Sequence, residues 1–252
     1  MPLIECAVAD GIARLTLNRP EKRNALSPEL IAGLHRALDD SASDPSVRVV
    51  LLTGAGPDFC SGADLAAFDQ AAEAGVLEHL STARALAGVF LAMRHHPRPI
   101  VAAVRGRALA GGCGLATACD LILAEQSAKF GYPEVNIGFV PAMVMAILRR
   151  NISEKRAFEW IATGEIISAS GAHAAGLINR VFDDAEFEER VNAYVASLAS
   201  KSASAVSLSK NLLYHMDSMT FEAAIEAGIH GNALARMTED ARRGIEKFAR
   251  KK

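Results

Sequence analysis

The sequence predicts an α/β protein whose parallel strands are joined by helical crossovers and whose last third is helical. Three observations carry this. Short apolar runs of strand length alternate with amphipathic stretches through the first half. Val47–Thr53 is continuously apolar, as strands covered on both faces of a parallel sheet are, and Pro99–Val104 and Asp120–Ala124 repeat the pattern. From Ser153 onward, helical periodicity takes over.

Ile4–Ala9 and Ile12–Asn18 flank Asp10-Gly11, a turn pair between apolar runs, and read as a hairpin. Ser27-Pro28-Glu29 opens a helix. Serine can cap it, proline suits its first turn, and the glutamate suits its positive end. Leu30, Ile31, Leu34 and Leu38 give that helix one apolar face. The strand at Val47–Thr53 is closed by Gly54-Ala-Gly-Pro. A helix over about Glu78–Met93, the strand Pro99–Val104 and an extended Gly106–Leu109 lead into Gly111-Gly-Cys-Gly and a short helix to Cys119. Beyond the strand Asp120–Ala124, helices are expected at Lys155–Thr163, Ser168–Ala175, Ala185–Ser200, Ala203–Met216 and Phe221–Ala235. One short strand is expected near Ile178–Phe182. No Pro/Gly/Ser linker separates the two parts, so the expected division is a core over 1–198 and a helical region over 199–252 that packs on the core or on a neighbouring subunit.

Composition narrows the function classes. Of 252 residues, 50% are hydrophobic and 22% charged, enough to bury a sizeable core and too apolar for disorder. Lys and Arg (27) nearly balance Asp and Glu (29), so neither nucleic acid nor an anionic membrane is an expected partner. The longest apolar stretches, Ala85–Met93 and Ile137–Leu148, are shorter than the ~20 residues a bilayer span needs, and no membrane span is expected. The opening Met-Pro-Leu-Ile-Glu does not read as a secretory signal. Four cysteines without CxxC spacing read as reduced thiols, and a cytoplasmic location is expected.

The strongest local feature is Ala108-Leu-Ala-Gly-Gly-Cys-Gly-Leu-Ala, glycines at a strand-to-helix turn. A helix start there leaves free N–H groups suited to a phosphate, a carboxylate or a developing oxyanion; glycines that only let a helix pack closely on a sheet would look the same. Neither GxGxxG nor GxxxxGK[ST] is present, which argues against a nucleotide phosphate. The loop after Thr53, Gly-Ala-Gly-Pro-Asp-Phe-Cys-Ser-Gly-Ala-Asp-Leu, is of the same kind, and two such turns could converge on one oxygen. Glu134 lies in an apolar, turn-forming stretch, where a carboxyl either acquires a raised pKa and serves as acid or base, or stays a solvated or capping residue. Ser207-x-x-Lys210 lacks its SDN and KTG partners and reads as coincidence on a surface helix. Cys60 and Cys113 have no partnering histidine, and His95, His96 and His173 lack metal-ligand spacing, so no metal is expected. Lys201, Lys210, Lys247, Lys251 and Lys252 read as solvated helix-face charges, some placed to meet an anionic ligand.

Together these segments resemble the crotonase (enoyl-CoA hydratase/isomerase) superfamily over essentially the whole chain. Asn18-Arg-Pro-Glu-Lys-Arg-Asn-Ala-Leu-Ser is similar to its early CoA-proximal loop. Phe59-Cys-Ser-Gly-Ala-Asp-Leu and Ala110-Gly-Gly-Cys-Gly are similar to its two oxyanion segments. Phe130-Gly-Tyr-Pro-Glu-Val-Asn-Ile-Gly resembles the segment bearing its catalytic carboxylate, and Glu239-Asp240 through Phe248-Ala-Arg-Lys its closing helix. The resemblance implies a spiral of repeated ββα units, with a helical C-terminal region that builds a homotrimer or a dimer of trimers. It implies an acyl-CoA substrate and no separate cofactor, because coenzyme A belongs to the substrate. It also implies roles: the amides of Ala63 and Gly111 grip the thioester oxygen, and Glu134 is the acid/base. Arg23, Ala25, Asp64, Leu65, Gly114, Phe248 and Lys251 are the implied substrate-binding positions.

Two departures bear on the reaction. The family's hydratases carry a second glutamate three residues after the oxyanion glycine, where this chain has Gly114. They also continue with a Gly-Gly-rich turn where it has Pro141-Ala-Met-Val-Met. The Gly-Gly-x-Gly-Leu, Glu-Val-x-Ile-Gly and Pro-Ala combination is similar to bacterial methylglutaconyl-CoA hydratase-like proteins, whose substrate carries its own carboxylate. Hydration of an α,β-unsaturated acyl-CoA is the expected activity. Double-bond isomerisation by Glu134 alone and non-catalytic acyl-CoA binding are the alternatives.

Overall fold

The computed structural model describes residues 1–64 and 74–249. The hairpin forms as expected: β1 (Ile4–Ala9) pairs antiparallel with β2 (Ile12–Leu17). Both turn residues, Asp10 and Gly11, take positive φ (51° and 77°), the geometry that matches strand twist in a two-residue hairpin. Strands β3 (Val49–Gly54), β4 (Ile100–Val104), β6 (Leu121–Glu125) and β9 (Arg180–Phe182) extend the sheet in parallel, in the order β1-β2-β3-β4-β6-β9. A second sheet stacks β5 (Arg107–Leu109), β7 (Lys129–Gly131) and β8 (Ile166–Ser168), with β5–β7 parallel and β7–β8 antiparallel. Cys60 bridges in parallel to Ala108, so the segment after β3 contributes a rudimentary rung to this second sheet. From β3 to β7 the chain therefore alternates between the large sheet and the small one, the spiral that the resemblance implies.

The strands alternate their side chains between two apolar compartments. Val50, Leu52, Ala102, Val104, Ile122 and Ala124 enter the main core with α1 (Pro28–Ser43) and the end of α2 (Val76–His95). Val49, Leu51, Val101, Ala103 and Leu123 face the other way, against Phe187, Val191 and Val195 of α7 (Phe187–Ala199). This is why those runs are apolar at every residue. Helix α1 starts as expected: the Ser27 hydroxyl accepts from Leu30 N at 3.3 Å, and Leu30, Ile31, Leu34 and Leu38 are buried.

Helix α2 is longer than its apolar run Ala85–Met93. By length and composition alone it is one helix among the described residues that could cross a membrane, which run length did not show. Instead it packs on α1 and sends Val89, Phe90 and Met93 into the core. Between β5 and β9 lie α3 (Gly111–Ala118), a tight 3-10 turn (Pro133–Ile137), α4 (Ala142–Leu148), α5 (Glu154–Thr163) and α6 (Ala169–Ala174). The C-terminal helices are α8 (Ala203–His215), α9 (Phe221–Met237) and α10 (Glu239–Ala249), which pack on one another.

One C-terminal lysine is not solvated as expected. Lys210 is buried, its Nζ donating to Met93 O (3.1 Å), Arg98 O (3.1 Å) and Asp120 Oδ2 (2.8 Å), while Tyr214 OH donates to Asp120 Oδ1 at 2.5 Å. Lys210 thus belongs to a joint between α8 and the core. Such a long side chain reaches buried carbonyls because its stem passes along apolar surface.

Candidate active site

Two loops are brought together by backbone pairing. Phe59 N donates to Arg105 O (2.9 Å), Cys60 N to Arg107 O (3.0 Å) and Leu109 N to Cys60 O (3.0 Å), so the segments around 60 and 108 run side by side. The chain then needs glycine at the crossing. A Cβ on Gly112 would stand 2.2 Å from Cys60 O, and one on Gly62 (φ +96°) would stand 2.7 Å from Ala110 Cβ and 3.3 Å from Gly111 N. A Cβ on Gly111 would lie 3.9 Å from Ala63 N, so the two implied oxyanion amides are neighbours.

Among the described residues, neither amide has a hydrogen-bond acceptor. Gly111 opens α3, where the first N–H groups have no intrahelical acceptor; Gly114 N is already the donor to Ala110 O at 2.9 Å. Ala63 sits in a parallel bridge to Leu26 whose bonds are Leu26 N to Gly62 O (2.8 Å) and Asp64 N to Leu26 O (3.2 Å), leaving the Ala63 N–H outside the pairing. Ala110, which aims Gly111, is strained, with φ 51° and ψ −129° in a region that favours glycine. Its own N donates to Gly131 O at 2.8 Å, tying this turn to the strand that leads to Glu134.

Glu134 lies in the 3-10 turn after Tyr132, held there by Phe139 N on its carbonyl (3.0 Å) and by the left-handed Gly138 (φ 72°). The residue is 8% exposed, and its Oε2 is buried with no hydrogen-bond partner among the described residues. Burial pushes the carboxyl above its ordinary value, partly offset by a bond to its own backbone. A buried, underpartnered carboxyl costs stability, which makes it a candidate for a functional role. Around it, Cys113 and Tyr132 are buried, with Tyr132 OH 2.8 Å from Thr117 Oγ1. Burial pushes the Cys113 thiol up to about 11 and the Cys60 thiol up to about 12, so both are neutral near pH 7 and unsuited to nucleophilic attack.

The two departures in sequence meet in space. A Cβ on Gly114 would stand 2.4 Å from Val144 Cγ2. Val144 is buried on α4, so hydrocarbon fills the direction in which a side chain at 114 would leave the helix.

The remaining implied positions divide. Arg23 (φ 50°) is exposed and accepts Ser61 N on its carbonyl at 3.0 Å, so its backbone does meet the first loop. Ala25 is buried in the same segment, and its carbonyl accepts from Arg19 Nη1 at 3.4 Å. Asp64 forms an ion pair with Arg19 at 2.6 Å. Phe248 is 67% exposed on α10, which packs on α8 and α9. Leu65 and Lys251 lie outside the described residues. Sequence reading missed Arg19, Ala110 and Val144. Arg19 stood within a motif, but its partner is 45 residues away, and nothing local marks the contact.

His96 is buried between Ser41 Oγ (3.2 Å) and Arg98 O (3.0 Å), and its burial lowers its pKa. Among the described residues, no group of three or more His, Cys, Asp or Glu is placed to hold a metal.

The enoyl-CoA hydratase/isomerase family model matches residues 7–252. A Thermus thermophilus protein bearing an enoyl-CoA hydratase name is 41% identical over 241 residues, covering 96% of this chain and 95% of its own. The 2,3-dehydroadipyl-CoA hydratase of Escherichia coli is 34% identical over 244 residues, 94% of this chain and 92% of its own. Among solved structures, an enoyl-CoA hydratase of Mycobacterium smegmatis superposes with a TM-score of 0.95 at 34% identity, covering 100% of this chain and 98% of that one. With fold, loop geometry and sequence in agreement, this chain belongs to the enoyl-CoA hydratase/isomerase family.

Proposed function

We propose that this chain hydrates α,β-unsaturated acyl-CoA thioesters, reversibly and with syn geometry. The observation that carries the reading is the convergence of two free main-chain amides, Ala63 and Gly111, beside a strand that leads to one buried carboxyl with an unpartnered oxygen. Glu134, ionised, takes a proton from water as the water oxygen bonds to the β-carbon. The electron pair of the double bond moves onto the thioester oxygen, where the two amides hold the enolate and the α3 dipole adds to them. A well-aimed donor of this kind contributes roughly 3–4 kcal/mol. Glu134 then gives its proton to the α-carbon on the same face, which regenerates the carboxylate and completes the addition of one water. A single acid suffices because the proton it takes is the proton it returns. No metal or redox cofactor enters this scheme, since the thioester itself acidifies the α-carbon.

Arg23, Ala25, Leu65, Phe248 and Lys251 are proposed to line the coenzyme A path, with Asp64 and Gly114 flanking the acyl end. A carboxylated acyl chain is favoured by the sequence similarity described above and by a relative named for a dehydroadipyl thioester. The helices beyond residue 199 are proposed to build a trimer or a dimer of trimers: Phe221, Ile225, Ile229, Leu234 and Met237 of α9 all stand exposed. Four unpaired cysteines suit a reducing cytoplasm.

Double-bond isomerisation is the second reading, favoured by Val144 lying against Gly114 and leaving Glu134 as the acid of the site. Glu134 would then carry one proton between the α- and γ-carbons. Crotonyl-CoA separates the two. Hydration erases the conjugated absorbance, whereas a flat trace together with rising absorbance from a non-conjugated enoyl-CoA would replace hydratase with isomerase. Coenzyme A binding by calorimetry with no turnover across an acyl-CoA panel would replace both with a binding protein.

A further inference from the structure

The Ala63 amide is useful only if its peptide plane is fixed, and the structure contains a device that fixes it. The Gly62 carbonyl accepts from Leu26 N at 2.8 Å; because the peptide is planar and trans, the Ala63 N–H on its other side is turned away from Leu26. The next peptide is held by Asp64 N on Leu26 O at 3.2 Å. The Asp64 side chain then reaches back to the same segment, pairing with Arg19 Nη1 at 2.6 Å. Arg19 is itself seated: its backbone N donates to Asn24 Oδ1 (2.9 Å), Nη1 reaches Ala25 O (3.4 Å), and Asn24 Nδ2 donates to Ala55 O (3.0 Å) and Asp58 O (2.8 Å). The pair is largely shielded, with side chains 19% and 12% exposed, so its attraction is weakly screened.

We propose that Arg19 is a positioning residue for the oxyanion hole, acting through Asp64 to hold the Ala63 amide on the thioester oxygen. This rests on the hydratase/isomerase reading of the same two amides. Without Arg19, the Asp64 side chain loses its tie to the segment that carries Leu26, the 62–64 strip loosens, and the Ala63 N–H loses its aim while the coenzyme A contacts elsewhere persist. The expected signature is therefore a loss in kcat with little change in KM.

The test uses the full-length protein and a chromophoric arylacryloyl-CoA, whose absorbance shifts to the red when its carbonyl is polarised. Wild type should give the shift. Arg19→Met should lose most of it and drop kcat on the order of 10²-fold, the effect of one misplaced oxyanion donor, with KM within about threefold. Arg19→Lys should recover part of both. If Arg19→Met fails to fold, Asp64→Asn reads the same link from the other partner and should likewise lose the shift. Retention of shift and kcat in Arg19→Met or Asp64→Asn, with only an earlier thermal transition, overturns the positioning role and leaves a structural ion pair. Absence of the shift in wild type instead overturns the oxyanion reading itself, so the two failures are distinguishable.

Discussion

The spiral core and the C-terminal helices carry apolar residues at similar helical spacing and treat them in opposite ways. Helix α1 buries Leu30, Ile31, Leu34, Ala37 and Leu38 against its own sheet. Helices α9 and α10 bury no residue within the chain, and Phe221, Ile225, Ile229, Leu234, Met237, Ile245 and Phe248 face outward. The core is thus specified by its own packing, whereas the C-terminal helices leave several large apolar side chains exposed. What ties the two regions is polar: Lys210 and Tyr214 grip Asp120, and Arg94 stacks on the Tyr214 ring at 3.6 Å while pairing with Asp217. An apolar pattern alone does not say whether its partner lies inside the chain.

The largest expected effect lies in the core. Glu134→Gln should lower turnover by roughly 10²–10⁴-fold, the usual contribution of a positioned acid/base. It should not lower the melting temperature. Burial raises the Glu134 carboxyl, so the folded state binds its proton more tightly than the unfolded state. Stability is therefore lost as pH rises from the ordinary carboxylate value through the raised one, and the neutral glutamine escapes that loss. Calorimetry at neutral and acid pH should show the variant melting no lower than wild type at neutral pH, with any gap closing in acid. The same raised carboxyl should place the acid limb of the wild-type kcat profile above the ordinary glutamate range, because the base must be ionised.

Next comes the joint between the regions. Lys210→Ala removes the buried ammonium that pairs with Asp120 and caps two carbonyls, and should cost roughly 3–5 kcal/mol by denaturant titration. A change within about 0.5 kcal/mol would make the joint incidental. Gly112→Ala forces a Cβ against the Cys60 carbonyl and should cost about 1–3 kcal/mol while misplacing the oxyanion turn. The smallest effect on chain folding belongs to Ile225→Asp with Ile229→Asp, which should dissociate the proposed trimer in light scattering yet leave the far-UV spectrum unchanged. A wild-type protein that is monomeric at high concentration would break the comparison.

Much of this was legible locally. The Asp10-Gly11 hairpin, the Ser27 cap and the doubly buried strands each announce themselves within a few residues. The three-residue strands β7 and β8 did not, because so short a run has no period to detect. Lys210 was misread because its partners lie 90 to 117 residues away, and a lysine on a helix carries no local sign of burial. At the site, the glycines and Glu134 stood out by type, while the closure of Gly114 by Val144 depends on two helices whose packing no local pattern encodes.

The most direct measurement is a crystal structure of the protein with a bound saturated acyl-CoA, which cannot be hydrated. The thioester oxygen should lie within about 3.1 Å of both Ala63 N and Gly111 N, with the Glu134 carboxyl facing the α- and β-carbons. An oxygen touching neither amide, or a Glu134 side chain directed away from the acyl carbons, would contradict the account.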